Sequence, residues 1–183
     1  MERESRLTDG VVLLRPYEGG DVERLYQAAR ESITEGSLWM PWCHADYSIE
    51  ESRAWIESRP EAWEKGTDYE FAMIDARDST FLGGCSLNHI DRVNCGAALG
   101  YWVRTSRTKQ GIATAAVNLL IQFGFNQLKL NRIEITAAVG NKASQRVAEK
   151  VRAKREGILR NYMVVRDRVY DMVVFSLIPE DLA

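Results

Sequence analysis

The sequence predicts a mixed α/β fold, and three observations predict it. Short runs alternate apolar with polar residues at the period of a strand. Longer stretches place apolar residues three and four apart, the stripe of an amphipathic helix. The two kinds of segment interleave in the order βααβββαβαββ, which calls for a mixed sheet with helices on its faces. No repeat, low-complexity tract or Gly/Ser/Pro linker interrupts the chain, so it reads as one domain over residues 1–183. That length suffices for one well-buried core and is short for two.

The elements follow in order. Residues 11–16 are β-rich and closed by Pro16, a first strand. Asp21 is placed to cap a helix whose stripe is Val22, Leu25, Tyr26 and Ala29. Residues 32–46 have no clear period, and Pro41 opposes a helix there. Ser48-Ile49-Glu50-Glu51 is a capping box that opens a second helix, through about Trp63. Tyr69, Phe71 and Met73 alternate with Glu70 and Ala72 in a strand. Residues 81–90 and 97–103 make two more, joined by the polar turn Asp91-Arg92-Val93-Asn94. Residues 113–128 carry Ala113, Val117, Leu120, Ile121, Gly124 and Leu128 on one helical face. Ile133, Ile135 and Ala137 mark the next strand. Asn141 caps a helix with the stripe Ala143, Val147 and Val151. Strands near 158–165 and over 168–177 end the series, with Asp171 the polar exception on the apolar face of the last.

Composition narrows the function. A net charge of −2 argues against a dedicated nucleic-acid binder, which carries a basic face. No apolar run reaches the ~20 residues that span a bilayer. Three cysteines without CxxC spacing, and no export signal, read as reduced thiols in a cytoplasm. Cys43-His44 is the only close pair of soft ligands, where zinc needs about four, so no metal is expected.

The chemistry is concentrated between Gly100 and Thr114. A strand stops, a basic loop follows, and Gly111 and Ala113 stand where a long helix begins. Small residues let the backbone approach a bulky anion, and the first N–H groups of a helix have no partner inside it. Lys109, with Arg107 nearby, adds positive charge. The segment reads as a phosphate cradle. It contains neither the Gly-Lys-Ser/Thr of a nucleotide-triphosphate loop nor a Gly-x-Gly-x-x-Gly dinucleotide loop.

Thr108-Lys109-Gln110-Gly111-Ile112-Ala113 resembles the Gln/Arg-x-x-Gly-x-Gly/Ala motif of the GNAT superfamily of N-acetyltransferases, with Thr108 replacing the first residue. Asn141-Lys142-Ala143-Ser144-Gln145-Arg146-Val147-Ala148-Glu149-Lys150 is similar to the Asn-x-x-Ser-x-x-Val-x-Glu-Lys helix of the branch that acetylates ribosomal-protein N-termini, the RimJ/RimL group. Gly100-Tyr101-Trp102-Val103, residues 156–160 and the segment from Asp171 to Leu177 fit as well.

The resemblance implies a sheet splayed at its centre to admit the pantetheine arm of acetyl-coenzyme A. Tyr101, Trp102 and Val103 would lend backbone hydrogen bonds to that arm. Lys109, Gln110, Gly111, Ile112, Ala113 and Thr114 would take the pyrophosphate, and Asn141 would lie beside the pantetheine. Relatives often protonate the leaving thiolate with a Tyr near the C-terminus. Phe175 stands there in this chain, and Ser144 is the substitute by analogy. Relatives often carry a Glu before the Gly-Tyr-Trp strand, where this chain has Ala97-Ala98. The general base is thus unassigned, with His89 and Asp91 next in line.

Relatives use the region 32–47 for acceptor binding. Trp39 and Trp42 are its expected substrate-facing residues, and filling the core edge is the alternative for both. The acceptor expected is a protein N-terminus. An α-amine, with a pKa of roughly 7.7–8.0, is a tenth or more neutral at pH 7, whereas lysine near ~10.4 is not, so a site without a strong base handles it more readily. A small-molecule amine acceptor and a silent CoA-binding module are the alternatives. Motifs leave a homo-oligomer open.

Overall fold

In the computed structural model, which describes residues 6–182, eight strands and five helices are formed. They are β1 (Leu7–Thr8), β2 (Val12–Pro16), α1 (Val22–Glu31), α2 (Ile33–Gly36), α3 (Ile49–Lys65), β3 (Tyr69–Asp75), β4 (Phe81–Asp91), β5 (Gly96–Val103), α4 (Ile112–Asn126), β6 (Arg132–Ala138), α5 (Lys142–Lys150), β7 (Lys154–Val165) and β8 (Arg168–Leu177). One sheet runs β1-β2-β3-β4-β5-β6-β8-β7. Every neighbouring pair is antiparallel except β5 and β6, which need the crossover that α4 supplies.

That parallel pair is short. Gly96, Ala97 and Ala98 lie opposite Arg132, Ile133 and Glu134, and the register ends there. Beyond it β5 stays paired with β4 through Val103, and β6 with β8 through Ala138. The centre of the sheet therefore opens as a V, as the resemblance implied.

Strand alternation separates two cores. On one face α4 packs Val117, Leu120, Ile121 and Phe123 against Phe71, Leu87, Ile133 and Ile135. Gly124 lets this helix sit close, because a Cβ there would come within 2.8 Å of Ile133 Cδ1. On the other face Leu25 and Ala28 of α1 and Ile56 of α3 pack on Tyr17, Ala72, Ile74 and Phe81. Each such large side chain contributes roughly 1.5–3 kcal/mol when fully buried.

Four local expectations need correction. Asp21 precedes α1 but does not cap it with its side chain. Its buried carboxylate receives both Arg15 Nη1 and Nη2 at 2.6 and 2.8 Å and the Glu18 N–H at 2.9 Å, so none of it is left for the cap. The aperiodic region starts with the short helix α2 before Pro41 ends regular structure. The Ser48–Glu51 capping box forms, but α3 continues past Trp63 to Lys65, where left-handed Gly66 stops it. The buried stripe of α5 runs through Ala148 and Val151, while Ala143 is exposed.

The α5 terminus has no glycine to end it, and the helix nevertheless stops after Lys150. Arg152 takes the left-handed conformation itself, φ 63°, and its N–H donates to Glu149 O at 3.0 Å while Ala153 N–H donates to Ala148 O at 3.0 Å. A non-glycine residue there carries about 1–2 kcal/mol of strain, partly offset by its lower unfolded-state entropy. Arg152→Gly should therefore raise stability by about 0.5–1 kcal/mol, read as a rise in melting temperature of roughly 1–4 °C.

Candidate active site

The opening between β5 and β6 is bridged by side chains. Tyr101 lies on β5 beyond its last residue paired with β6, and Ser144 sits in the first turn of α5, which follows β6. Tyr101 Oη lies 3.1 Å from the Ser144 carbonyl oxygen and 2.8 Å from Ser144 Oγ. A phenol has one proton, so when it donates to the carbonyl the Ser144 hydroxyl donates to the phenol oxygen. Burial pushes the Tyr101 phenol up to about 12, against the opposing effect of Ser144. The pair is a protonated donor at neutral pH.

Asn141 holds Ser144 in place. Its Oδ1 accepts the Ser144 N–H at 3.1 Å as the N-cap of α5. Gln145 Nε2 donates to the carbonyls of Ala138 and Val139 at 3.0 and 2.9 Å, which fixes the turn from β6 into α5. Phe175 is buried in the core opposite Ile135. The last strand presents no phenol here, whereas β5 presents that of Tyr101 beside Ser144.

The loop after β5 is anchored at its start and open at its end. Arg104 pairs with Glu31, and the N–H groups of Thr105 and Ser106 donate to Ser32 Oγ and Glu31 Oε1 at 3.1 and 2.7 Å. These bonds hold the Glu31 carboxyl at about 2. Lys109 and Gly111 then adopt left-handed conformations, φ 61° and 82°, on either side of Gln110. Such reversals of backbone sign make concave nests of N–H groups. Among the described residues no protein acceptor receives the N–H groups of Ile112, Ala113 and Thr114, the first turn of α4. A Cβ on Gly111 would meet nothing within 4 Å, so its surroundings are open. These features fit a phosphate group. Arg107 is engaged elsewhere, 3.8 Å from Asp75 and 3.6 Å from Asp78, which leaves Lys109 as the exposed cation of the loop.

A cavity of about 510 Å³ lies on the α1–α3 side of the sheet. Its walls include Tyr17, Trp42, Tyr47 and Trp55, with the carboxylates of Glu51 and Glu70. Gly100, Tyr101 and Trp102 also line it, so cavity and central opening share one stretch of β5. Trp42 packs edge-on against Trp102 and Tyr47, ring centres 5.3 and 5.8 Å away. Trp39 does not line the cavity. It packs on Tyr170, and a Cβ on Gly140 would come within 3.2 Å of its ring, beside the Asn141 turn. Arg166, in the β7–β8 turn, donates to Ser37 O and Cys43 O at 3.2 and 2.9 Å and ties this loop to the hairpin.

The titratable residues near the sheet lie in different surroundings. His89 is exposed and outside the cavity. Asp91 is exposed too, and its carboxylate is held below its usual range by the N–H groups of Asn94 and Val93 in the turn. Glu51 is likewise lowered, by the Ser48 N–H and by His44 at 2.8 Å. Glu70 is the opposite case. Burial pushes its carboxyl up to about 7, although Arg59, 3.9 Å away, and the Ser86 hydroxyl pull it down. Strand alternation alone hid this residue, since a polar position at period two reads as solvent-facing. The signal was a charged residue on a strand whose two faces are both covered by helices. Among the described residues no three His, Cys, Asp or Glu side chains gather as a metal site.

Residues 12–154 match the family described as the acetyltransferase (GNAT) domain. The chain is 38% identical over 104 residues to YdaF of Bacillus subtilis, a match spanning 57% of either chain. It is 26% identical over 157 residues to the ribosomal-protein-serine acetyltransferase of Escherichia coli, covering 86% of this chain and 87% of that one. The structure of Mycobacterium smegmatis RimJ in complex with CoA-disulfide superposes with a TM-score of 0.89 at 26% identity, over 97% of this chain and 88% of that one.

Proposed function

Because the chain belongs to the acetyltransferase (GNAT) domain family, we propose that it transfers acetyl from acetyl-coenzyme A to an amine, the N-terminal α-amine of a protein. The observation that carries this reading is the meeting of two features at Gly100–Trp102: an opening that leads from the α4 cradle, and an aromatic cavity on the other side of the sheet.

Each residue has a role in that reading. The N–H groups from Gln110 to Thr114, with Gly111 giving access and Lys109 giving charge, hold the pyrophosphate. Backbone groups of Tyr101, Trp102 and Val103 bond the pantetheine arm, with Asn141 beside it. Ser144, backed by Tyr101, donates a proton as the thiolate departs. Trp42 walls the acceptor cavity, and Trp39 braces the same loop against the Asn141 turn.

The cavity favours an α-amine over a polycation. A polyamine or an aminoglycoside needs several free carboxylates, whereas one of the two here is already bonded to His44 and Ser48. The name of the E. coli relative, an acetyltransferase of ribosomal-protein serine, points the same way. Acetyl-coenzyme A consumption measured over N-terminal peptides, lysine peptides and small amines tests this. Peptides with a free N-terminus should react, and blocking that amine should abolish the reaction even when lysines remain. Trp42→Ala should raise peptide KM without changing acetyl-coenzyme A affinity. Equal reaction of free and blocked peptides would overturn the acceptor.

A further inference from the structure

We propose that Glu70 is the general base that removes the proton of the acceptor ammonium inside the aromatic cavity. The inference rests on the acetyl-transfer reading above and adds the residue which that reading lacks.

The placement comes from strand register. Glu70 of β3 is opposite Ser86 of β4, and Ser86 is opposite Gly100 of β5. The three share one face of the sheet and form a row that ends at the central opening. Adjacent strands lie about 4.8 Å apart, so the row carries the carboxylate to within one side chain and one water of the splayed edge. Ser86 Oγ accepts from Asn88 Nδ2 at 2.9 Å, which leaves its own proton free to donate toward Glu70. Gly100 contributes no side chain to block the row, since a Cβ there would stand 3.5 Å from Ser86 Oγ. Trp42, Tyr47 and Trp55 line the cavity with aromatic surface that suits an apolar acceptor end.

The charged and titratable groups around Glu70 are few. Arg59 faces it from α3, Tyr17 from just after β2, Cys85 from β4, and Asp68 from the approach to its own strand. Glu51 lines the same cavity. Burial holds Tyr17 and Cys85 well above their ordinary values, so both are neutral near pH 7 and Arg59 is the nearby cation. A carboxyl held up near 7 is protonated and idle below that pH and ionised above it. Activity that depends on it rises with pH through about 7.

The step balances. One Glu70 oxygen takes a proton from the ammonium, and the freed nitrogen lone pair bonds the thioester carbonyl carbon. The carbon–sulfur bond breaks with its electron pair on sulfur. Sulfur gains the second nitrogen proton through the Ser144 hydroxyl, and Glu70 returns the first to solvent.

Glu70→Gln keeps the shape and removes the base. In the full chain it should lower kcat by about 10²–10⁴-fold, leave acetyl-coenzyme A affinity unchanged by calorimetry, and erase the limb near pH 7. That limb should keep its position in the wild type when peptides with α-amines of different pKa are compared at saturation. In the free protein, carbon-13 NMR should show one carboxyl titrating near 7 that is missing from Glu70→Gln. Arg59→Gln should move both the carboxyl midpoint and the kinetic limb upward. A Gln variant within threefold of wild type with an unaltered limb would overturn the base assignment and leave acetyl transfer standing. A wild-type chain that acetylates no amine while its Glu70 carboxyl titrates near 7 would overturn the reaction itself, and the base with it.

Discussion

Gly111→Asp is expected to weaken acetyl-coenzyme A binding at least about 100-fold, close to 3 kcal/mol, in a chain that still folds. The fold should survive because nothing lies within 4 Å of the new Cβ. The left-handed φ of 82° costs about 1–2 kcal/mol, tolerable for a domain and least for Asp or Asn. Binding should not survive, because a carboxylate would occupy the N–H nest proposed to hold phosphate. Gly111→Asn separates charge from bulk. It has the same shape and accepts the same φ, so its loss should be clearly smaller. Calorimetric affinities for the two variants decide it, and an unchanged Kd in a folded Asp variant would remove the cradle.

Ser144→Ala and Tyr101→Phe should each lower kcat by about 10²–10³, the usual effect of removing one donor to developing negative charge. KM for acetyl-coenzyme A should stay within about twofold, since the donor acts chiefly in the transition state. The two hydroxyls lie 2.8 Å apart and serve one proton, so the double variant should cost little more than the worse single one. Additive losses would mean that the hydroxyls act separately. Full activity in both single variants would return the pair to a structural bond across the opening.

Much of the fold was legible because each element obeys a local rule. The capping box at Ser48, the stripe of α4 and the Asn141 cap are all set by residues within a few positions of one another. The turn from β5 into α4, with glycine at the head of the helix, was legible for the same reason. What escaped depends on pairing across the chain. Asp21 lost its capping role to Arg15, a residue from another element. Arg152 stands in for glycine because Val151 and Ala153 on either side of it are buried, which holds the turn in place. The surroundings of Glu70 depend on Arg59 of α3, and Trp39 and Trp42 diverge because Tyr170 and Trp102 come from distant strands.

The V at the centre of the sheet gives this protein two edge strands in its interior. An ordinary edge is a hazard, since any extended chain can pair with its free N–H and C=O groups and seed aggregation. Here the facing edges of β5 and β6 lie under α4 and α5, and the gap between them narrows to full pairing at Ala98 and Glu134. In the acetyl-transfer reading proposed above, the pantetheine arm, a linear chain carrying amides along its length, would pair there as a strand does. In that reading the fold keeps the adhesiveness of a sheet edge and reserves it for the backbone of one small ligand.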